Sequence, residues 1–237
     1  KLGQKQIAQL CHRRFGIGAD GLMLLQNAND YDFRMVYYNA DGSLGTMCGN
    51  GGRCLVRFAA DLGIVAGKTN FIAVDGHHTA LITQDVISLQ MQNVEEISQV
   101  NQDYFTNTGS PHYVRFCEDV QHYDVRNTGA EIRYSDSFTE QGGTNVNFVQ
   151  DLGQNGLFVR TYERGVEDET YSCGTGVTAA ALCAAGQLGQ QSPVQIQTLG
   201  GQLSVSFEGN AQDGFTNIYL TGPAIKVFEG EIPFLSI

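Results

Sequence analysis

Two cysteines of this chain, Cys48 and Cys173, lie in the same short motif, Cys-Gly-x-Gly, and an apolar-periodic segment follows each motif. A polar residue at the end of a β-rich run precedes each cysteine: Asn39 comes nine positions before Cys48, and Glu163 comes ten positions before Cys173. The repetition indicates a duplicated module that supplies one thiol from each copy. Two thiols that face each other across a cleft could remove a proton from one face of a carbon and return one to the other face.

The Cys-Gly-x-Gly motif is predicted to begin a helix. The first turn of a helix carries outward-pointing N–H groups and a partial positive charge. Both features stabilise a thiolate, so the pKa of a cysteine there falls below its usual value of about 8.5, and the same N–H groups can hold a carboxylate. Each copy therefore predicts a reactive thiol beside an anion site, an arrangement that suits removal of the α-proton of an amino acid. No lysine pattern suggests a Schiff base, so we expect no cofactor.

The composition excludes several other classes of protein. The 237 residues carry a net charge of −11, which counts against a nucleic-acid partner. No run of about 18 apolar residues is present, so no membrane span is expected. The six cysteines are scattered without a Cys-x-x-Cys pair, and the histidines show no ligand pattern, with His77 and His78 expected in a solvent-facing turn; we therefore expect neither a disulfide framework nor a metal site. The four other cysteines are expected to be ordinary packed side chains: Cys11, Cys54, Cys117 and Cys183.

Hydrophobic periodicity predicts a similar order of elements in both halves of the chain. We expect helices at Gly3–Arg14, from Cys48 to Gly63 and from Cys173 to about Gly189, and strands at Leu22–Leu25, Phe33–Tyr38, Asn70–Val74, Thr79–Thr83, Val86–Gln92, Leu157–Tyr162, Val194–Thr198, Gln202–Phe207 and Thr216–Leu220. The buried stripe predicted for the helix after Cys48 comprises Leu55, Phe58, Ala59 and Leu62, with Cys54 also packed. The polar segment Val94–Thr108 is expected to be a crossing between the halves.

These elements predict an α/β protein of two lobes. The N-terminal lobe, residues 1–98, carries Cys48 and is completed by residues 226–237. The C-terminal lobe, residues 99–225, carries Cys173. The active site is expected between them.

The motifs resemble those of the diaminopimelate epimerase family. The segment from Met47 to Cys54 is similar to the family's first cysteine motif, and the segment from Glu163 to Gly176 is similar to its second. Three further segments occur in the expected order: Gly16–Asp20, Asn39–Ser43 and Gly109–His112. The resemblance covers the chain from about residue 11 to about residue 230. It implies two pseudo-symmetric halves, each a curved mixed β-sheet around a central helix.

The resemblance also implies an activity and a set of residue roles. The activity is the cofactor-independent interconversion of LL- and meso-diaminopimelate, in the synthesis of lysine and peptidoglycan precursors. Cys48 and Cys173 would be the base and acid pair. The α-carboxylate would be bound by the backbone of Gly49, Asn50, Gly174 and Thr175. The far end of the substrate would be bound by Asn39, Asn145, Glu163 and Arg164, because a carboxylate can accept from the distal ammonium and a guanidinium can hold the distal carboxylate.

Two departures from the family pattern concern single contacts. The family commonly has Asn-Pro-His where this chain has Ser110-Pro111-His112, so a substrate contact from Ser110 would be made through water or by another residue. His112 would help to orient the second site. The family's opening Gly-x-Gly-Asn-Asp-Phe strand does not occur in this sequence, and we expect it to precede Lys1.

Alternative functions stay open at this point. A racemase or epimerase of proline or hydroxyproline would share the two-thiol architecture, although the Glu-Arg-Gly and Asn-Ala-Asp-Gly elements together favour diaminopimelate. A non-catalytic amino-acid-binding or thiol-redox protein is an alternative from another class. Family resemblance further implies a cytoplasmic homodimer.

Overall fold

The structure is a computed structural model that describes residues 2–45, 47–140 and 142–232. The chain divides into two compact units, with breaks after Leu89 and after Gly222. The first unit contains the chain before the first break together with the segment that begins at Pro223, and the second unit is Gln90–Gly222. Pro233–Ile237, the end of the segment predicted to complete the first lobe, lies outside the described residues.

As far as the structure describes it, the first unit is a five-stranded mixed sheet with two helices. Its elements are α1 Gln4–Cys11, β1 Gly21–Gln26, β2 Phe33–Asn39, α2 Gly49–Asp61, β3 Lys68–Ala73, β4 Gly76–Thr83 and β5 Val86–Gln90. The strand order is β1-β2-β3-β4-β5. Strands β2 and β3 are parallel, with Phe33 opposite Phe71, and the other neighbours are antiparallel. Helix α2 connects the parallel pair and packs against β1, β2 and β4.

Within its described residues, the second unit is a larger mixed sheet with three α-helices and a short 3-10 helix at Gly153–Asn155. Its strands are β6 Ser98–Val100, β7 Asp103–Asn107, β8 Pro111–Phe116, β9 Asn145–Asp151, β10 Leu157–Glu163, β11 Asp168–Thr170, β12 Val194–Thr198, β13 Gly201–Asn210 and β14 Gly214–Pro223. Its helices are α3 Val125–Arg133, α4 Asp136–Thr139 and α5 Gly174–Leu188. The strand order is β14-β13-β12-β10-β9-β8-β7-β6, with β11 beside β10. Two neighbouring pairs are parallel, β8 with β9 and β10 with β12.

The two units repeat one order of elements. In the first unit, β1 and β2 are followed by α2 and then by β3, β4 and β5. In the second, β9 and β10 are followed by α5 and then by β12, β13 and β14. In both copies the helix connects two parallel strands, so the crossover is of the βαβ type. The predicted architecture, a mixed sheet around a helix in each half, is therefore confirmed.

Helix α5 is the centre of the second core. Every residue from Val177 to Ala184 is fully buried, and the side chains pack against strands of the sheet. The helix ends at Gly189, which has a left-handed backbone (φ 71°) that favours glycine. A helix that is apolar on all sides is typical of a buried position, and this predicted element is confirmed.

The buried face of helix α2 only partly matches the predicted stripe. Leu55, Val56 and Ala59 are buried, whereas Phe58 and Leu62 are about half exposed, and the Cys54 side chain is also exposed. The prediction of a packed Cys54 is wrong. Residues at both i+3 and i+4 lie on the same side of a helix. Hydrophobic periodicity therefore locates a buried stripe to within about one residue, but it does not determine which residues at the edges of the stripe are buried.

The predicted crossing at Val94–Thr108 contains strands β6 and β7, so that prediction is wrong. Polar residues in this segment are buried and hydrogen-bonded: Thr106 donates to the Glu96 carbonyl at 2.9 Å, and Asp103 accepts from Arg115 at 2.9 Å. Both polar and apolar side chains of this segment are buried. Its sequence therefore lacks the alternation of polar and apolar residues that indicates a strand.

His77 and His78 were expected in a turn but lie in strand β4. His77 is exposed as predicted, whereas His78 is largely buried, with its Nε2 2.8 Å from Asp75 and its ring stacked on Phe71.

Within the described residues, no helix combines the length and the apolar character that crossing a membrane requires.

Candidate active site

Cys48 is the N-cap of helix α2. Its backbone is extended (φ −116°, ψ 118°), and its Sγ accepts a hydrogen bond from the Gly51 N–H at 3.4 Å. Gly49 and Asn50 are the first two helical residues, where N–H groups point out of the helix end. A sulfur atom held against the first turn gains from its partial positive charge, so this position favours the thiolate.

Cys173 is the N-cap of helix α5 in almost the same conformation (φ −110°, ψ 114°). Gly174 and Thr175 occupy the first two helical positions, matching Gly49 and Asn50 in the first unit. The Cys173 residue is 7% exposed, and its Sγ lies 3.5 Å from the Thr175 Oγ1. The two predicted thiols are thus presented by the same local structure.

The second glycine of each motif leaves room for a close approach. A Cβ at Gly176 would lie 2.4 Å from the Asn147 Oδ1, and a Cβ at Gly51 would lie 2.8 Å from the Met23 Sδ. Both distances are shorter than normal contacts, so the space at each position fits a glycine. The glycines therefore let the helix end approach the neighbouring strand closely.

His112 connects the Cys173 helix to the sheet. Its imidazole is fully buried, with the Nε2 2.8 Å from the Thr175 Oγ1 and the Nδ1 3.1 Å from the Asn147 Nδ2. The Asn147 amide is oriented by two further bonds, since its Nδ2 donates to the Tyr113 carbonyl and its Oδ1 accepts from the Thr161 hydroxyl. The Asn147 Nδ2 is a donor, so the His112 Nδ1 is an acceptor and the Nε2 carries the proton.

The protonation state of His112 follows from its surroundings. Burial, and secondly the charge of Arg164, lower the pKa of His112 to about 3. The neutral ring donates from Nε2 to the Thr175 oxygen, which leaves the Thr175 hydroxyl proton free to point at the Cys173 sulfur. This chain of oriented groups offers the Cys173 sulfur a hydrogen-bond donor whenever that sulfur is a thiolate.

Asn145 joins three of the other predicted residues. Its Nδ2 donates to the Ser110 Oγ at 3.0 Å and to the Pro111 carbonyl at 2.9 Å. Its Oδ1 accepts from the Arg164 N–H at 2.9 Å. The parallel register of β8 and β9 places Asn145 opposite His112. Ser110, His112, Asn145 and Arg164 are therefore brought together at one end of these strands.

Glu163 and Arg164 lie where β10 turns into β11. Gly165 follows with φ 93°, a conformation suited to glycine, and β11 then pairs with β10 in antiparallel register. Burial raises the pKa of Glu163 above the ordinary value of a glutamate. The Arg164 Nη1 donates to the Gly143 carbonyl at 3.4 Å. The pair is half-buried, in contrast to the solvated surface pair that a Glu-Arg sequence often forms.

Asn39 ends strand β2 in the first unit. Its N–H donates to the Ser43 carbonyl at 2.9 Å, and its Nδ2 donates to the Ser43 Oγ at 3.1 Å. Asp41 also accepts from the Ser43 N–H, at 2.8 Å. Asn39 is exposed and closes the Asn-Ala-Asp-Gly turn. Its amide oxygen lies near Gly45, on the loop that leads to Cys48.

Sequence reasoning missed several residues that support the site: Asn147, Thr161, Thr108 and Arg53. Thr108 donates to the Thr175 carbonyl at 2.9 Å. Asn147 comes two positions after Asn145 on the same strand, so alternation could have placed both on one face. Thr108 and Thr161 contact residues that are distant in sequence, so no local sequence pattern indicates their roles.

Comparison with known proteins places the chain in a family. The family model described as "Diaminopimelate epimerase" matches residues 1–95 and 104–227. A protein of Flavobacterium psychrophilum named diaminopimelate epimerase is 54% identical over 95% of this chain and 88% of its own length. Proteins with the same name from Chlorobaculum tepidum (41% identical, 98% of this chain, 92% of theirs) and Aquifex aeolicus (38%, 95% and 84%) are also similar.

Solved structures share the fold at much lower identity. A phenazine biosynthesis protein of the PhzF family from Bacillus anthracis has a TM-score of 0.74 at 11% identity, over 92% of this chain and 86% of its own. A probable proline racemase from Agrobacterium radiobacter has a TM-score of 0.60 at 16% identity, over 91% and 77%. At such identities the likeness concerns the fold alone, whereas the family model and the named relatives agree with the motifs around both cysteines. This chain belongs to the diaminopimelate epimerase family.

Proposed function

We propose that this protein is an isomerase that interconverts LL- and meso-diaminopimelate with two cysteine side chains. The observation that carries the proposal is the matched N-cap geometry of Cys48 and Cys173, in a chain whose curated relatives are named for this activity. The reaction belongs to the synthesis of lysine. The mechanism uses only side chains and backbone groups of the protein.

The chemistry follows from the two helix ends. One cysteine, as the thiolate, takes the α-proton of the substrate, so the C–H bond breaks and an S–H bond forms. The negative charge passes into the α-carboxylate, where the N–H groups of Gly49, Asn50, Gly174 and Thr175 would hold it. A single preorganised donor of this kind contributes roughly 3–4 kcal/mol in known enzymes. The other cysteine, as the thiol, then gives its proton to the opposite face of the carbon.

The distal end of the substrate would be bound by Asn39, Asn145, Glu163 and Arg164. Arg164 offers a planar guanidinium that can hold a carboxylate through two parallel bonds. Burial raises the pKa of Glu163, and an ammonium group brought beside it would favour the charged carboxylate. A site that demands both an ammonium and a carboxylate at the far end would select diaminopimelate over amino acids with one polar end.

Ser110 and His112 have supporting roles in this proposal. The Ser110 Oγ accepts from the Asn145 amide, so Ser110 would orient Asn145, and any substrate contact from this position would pass through Asn145 or water. His112 would orient the Thr175 hydroxyl toward Cys173.

Proline-type racemases are the second candidate, and the observations do not favour them. Solved proline racemase and hydroxyproline epimerase structures match this chain at only 15–16% identity. The Flavobacterium, Chlorobaculum and Aquifex relatives match at 38–54% identity and carry the diaminopimelate epimerase name. A cytoplasmic homodimer stays a prediction that rests on family resemblance.

The function is tested by following deuterium incorporation at the α-carbon in heavy water. Diaminopimelate, proline and hydroxyproline are each incubated with the protein, and the proposal expects exchange with diaminopimelate alone. Binding of diaminopimelate without exchange would support a binding protein instead, and exchange with proline alone would support the second candidate.

Replacement of single cysteines tests the assignment within the site. Cys48→Ala and Cys173→Ala are expected to reduce epimerisation by at least about 10³-fold, because each removes one of the two proton-transfer groups. Cys54→Ala, an exposed cysteine on the same helix as Cys48, is the matched control and should keep full turnover. Full turnover in either active-site variant would refute the two-thiol mechanism.

A further inference from the structure

Helix α2 carries a buried guanidinium that the proposed mechanism does not use. Arg53 is only 6% exposed, and its Nη2 donates to the Asn50 Oδ1 at 3.0 Å. Within residues 2–45, 47–140 and 142–232, its Nε and Nη1 have no hydrogen-bond partner, and Arg53 forms no ion pair. A buried cation with so few partners is costly, so an anion is expected beside it.

The electrostatic partners of Arg53 are two cysteines near the start of the same helix. Burial lowers the pKa of Arg53, and the negative charges of Cys54 and Cys48 oppose this change. Cys54 is exposed, so water screens its charge, whereas Cys48 lies at the start of the same helix with partial burial. Electrostatic attraction is mutual, so a cation that gains from a nearby thiolate also stabilises that thiolate.

Other charged groups around α2 do not take this role. Helix α2 packs against β1, β2 and β4, and strand β1 carries no ionisable side chain. The remaining charged or titratable groups on α2, β2 and β4 are Arg57, Asp61, Arg34, Tyr37, Tyr38, His77 and His78. Arg57 is neutralised by Asp61 and Asp85, each at 2.9 Å, Arg34 and His77 are exposed, and His78 pairs with Asp75.

The second copy of the motif lacks the cation. Arg53 is the fifth residue after Cys48, and the fifth residue after Cys173 is Thr178. Thr178 is fully buried and donates its hydroxyl to the Gly174 carbonyl at 2.9 Å. Near the start of helix α5, His112 is held neutral, and the Arg164 charge that helps to lower the pKa of His112 comes from the turn after β10. Helix α5 itself carries no charged side chain, so the two helices differ in the charges that they themselves bring to the matching thiols.

We propose that Arg53 is a positioning residue that makes Cys48, and not Cys173, the thiolate of the substrate-free protein. Arg53 acts from behind the first turn and also fixes the Asn50 side chain at the start of the helix. The asymmetry determines which stereoisomer meets a ready base, since the reaction needs one thiolate and one thiol. This inference deepens the proposed function and rests on it for its catalytic meaning, but the charge asymmetry itself can be measured without substrate.

The first test compares the two cysteines in the unmodified protein. Iodoacetamide labelling is followed at each cysteine by peptide mass spectrometry, from about pH 5 to about pH 10, because only the thiolate reacts. Each rate is divided by its own high-pH plateau, so that differences in exposure cancel. The labelling midpoint of Cys48 is expected at least about one pH unit below that of Cys173, a tenfold difference in thiolate fraction. An equal or higher midpoint for Cys48 would overturn the proposal.

The second test removes the charge. Arg53→Gln should raise the Cys48 midpoint by about one pH unit, Arg53→Lys should keep it near the original value, and Arg57→Gln, the matched control on the same helix, should leave it unchanged. A purely structural role for Arg53 would give no rescue by lysine and no selective change at Cys48, and either result would overturn the proposal. Circular dichroism checks whether each variant folds. If Arg53→Gln does not fold, the difference between the Cys48 and Cys173 midpoints in the unmodified protein still tests the proposal. Labelling uses no substrate, so loss of the asymmetry and absence of epimerase activity are separate outcomes.

Discussion

At the scale of single residues, the two thiols proposed for catalysis have different surroundings: neutral groups lie beside Cys173, and a buried cation lies on the helix that begins at Cys48. Cys173 lies beside the Thr175 hydroxyl, which a buried neutral His112 orients. Cys48 lies on the helix that carries the buried Arg53. In the proposed reaction, two side chains of the same type could thus serve different steps, one as the thiolate base and the other as the thiol acid.

The buried His112 predicts a specific loss of stability in acid. Its pKa is about 3 in the folded protein and about 6.5 in an unfolded chain. Between these values the unfolded chain binds one proton more, so the free energy of unfolding falls as the pH falls from about 6.5 towards 3. From pH 7 to pH 5 this single group should account for about 2 kcal/mol.

Urea unfolding at the two pH values measures the effect. His112→Gln should lose about 2 kcal/mol less than the unmodified protein between pH 7 and pH 5. His122→Gln, which removes an exposed histidine, is the control and should follow the unmodified protein. If the two variants show the same dependence on pH, His112 is not held neutral by its surroundings.

At the scale of elements, each half-site is built from a strand, a loop and an N-capping cysteine. Strand β2 ends at Asn39 and strand β10 ends at Glu163, and each is joined through α2 or α5 to a parallel neighbour. The crossover fixes where the helix begins. The glycines of the motif then determine how closely the helix can approach the neighbouring strand.

Gly176 is predicted to be the less tolerant of the two motif glycines. A Cβ there would meet the Asn147 Oδ1 at 2.4 Å, and Asn147 is held by several hydrogen bonds. Overpacking of this kind costs about 1–3 kcal/mol, which exceeds the roughly 1 kcal/mol that alanine gains over glycine in a helix.

The comparison variant is Gly51→Ala, where the Cβ would meet the end of the flexible Met23 side chain at 2.8 Å. Thermal or urea unfolding of both variants should show the larger loss of stability for Gly176→Ala. An equal or larger loss for Gly51→Ala would mean that the Asn147 network can adjust.

The elements that sequence alone predicted are those with a regular hydrophobic pattern. Helix α5 and strands β1, β2, β10 and β12 fall in this group, and so do the two N-capping cysteines, because capping is a local property. Strands β6 and β7 were missed because buried polar residues such as Thr106 interrupt the hydrophobic pattern, and β9 was missed although polar and apolar residues alternate from Asn145 to Phe148. The Asn145 contacts and the burial of Arg53 depend on neighbours remote in sequence, so no local pattern could reveal them.

At the scale of the whole molecule, the chain is two units that repeat one order of elements, and each contains one of the two N-capping cysteines Cys48 and Cys173. Duplication accounts for the two similar helix ends that the proposed reaction requires. The halves differ at matching positions, with Arg53 opposite Thr178 and Asn39 opposite Glu163, and the proposed function assigns different roles to these residues.

The proposed reaction requires both sulfur atoms to reach the same carbon, and oxidation should report this. A mild oxidant is expected to inactivate the protein by joining Cys48 to Cys173, and a reductant should restore activity. Peptide mass spectrometry identifies the linked pair. Inactivation of equal extent in a partly active Cys48→Ser variant would point to damage elsewhere, and a link that involves Cys54 instead would argue against thiols that share one substrate.

The most direct test of the central claim is the isotopic content of both substrate and product at early times in heavy water. With two thiols on opposite faces of one carbon, each meso-diaminopimelate molecule formed from the LL form should carry one deuterium at the inverted centre, while the remaining LL substrate carries almost none. Product that retains the original hydrogen would show that a single group removes and returns the proton, and it would contradict the account.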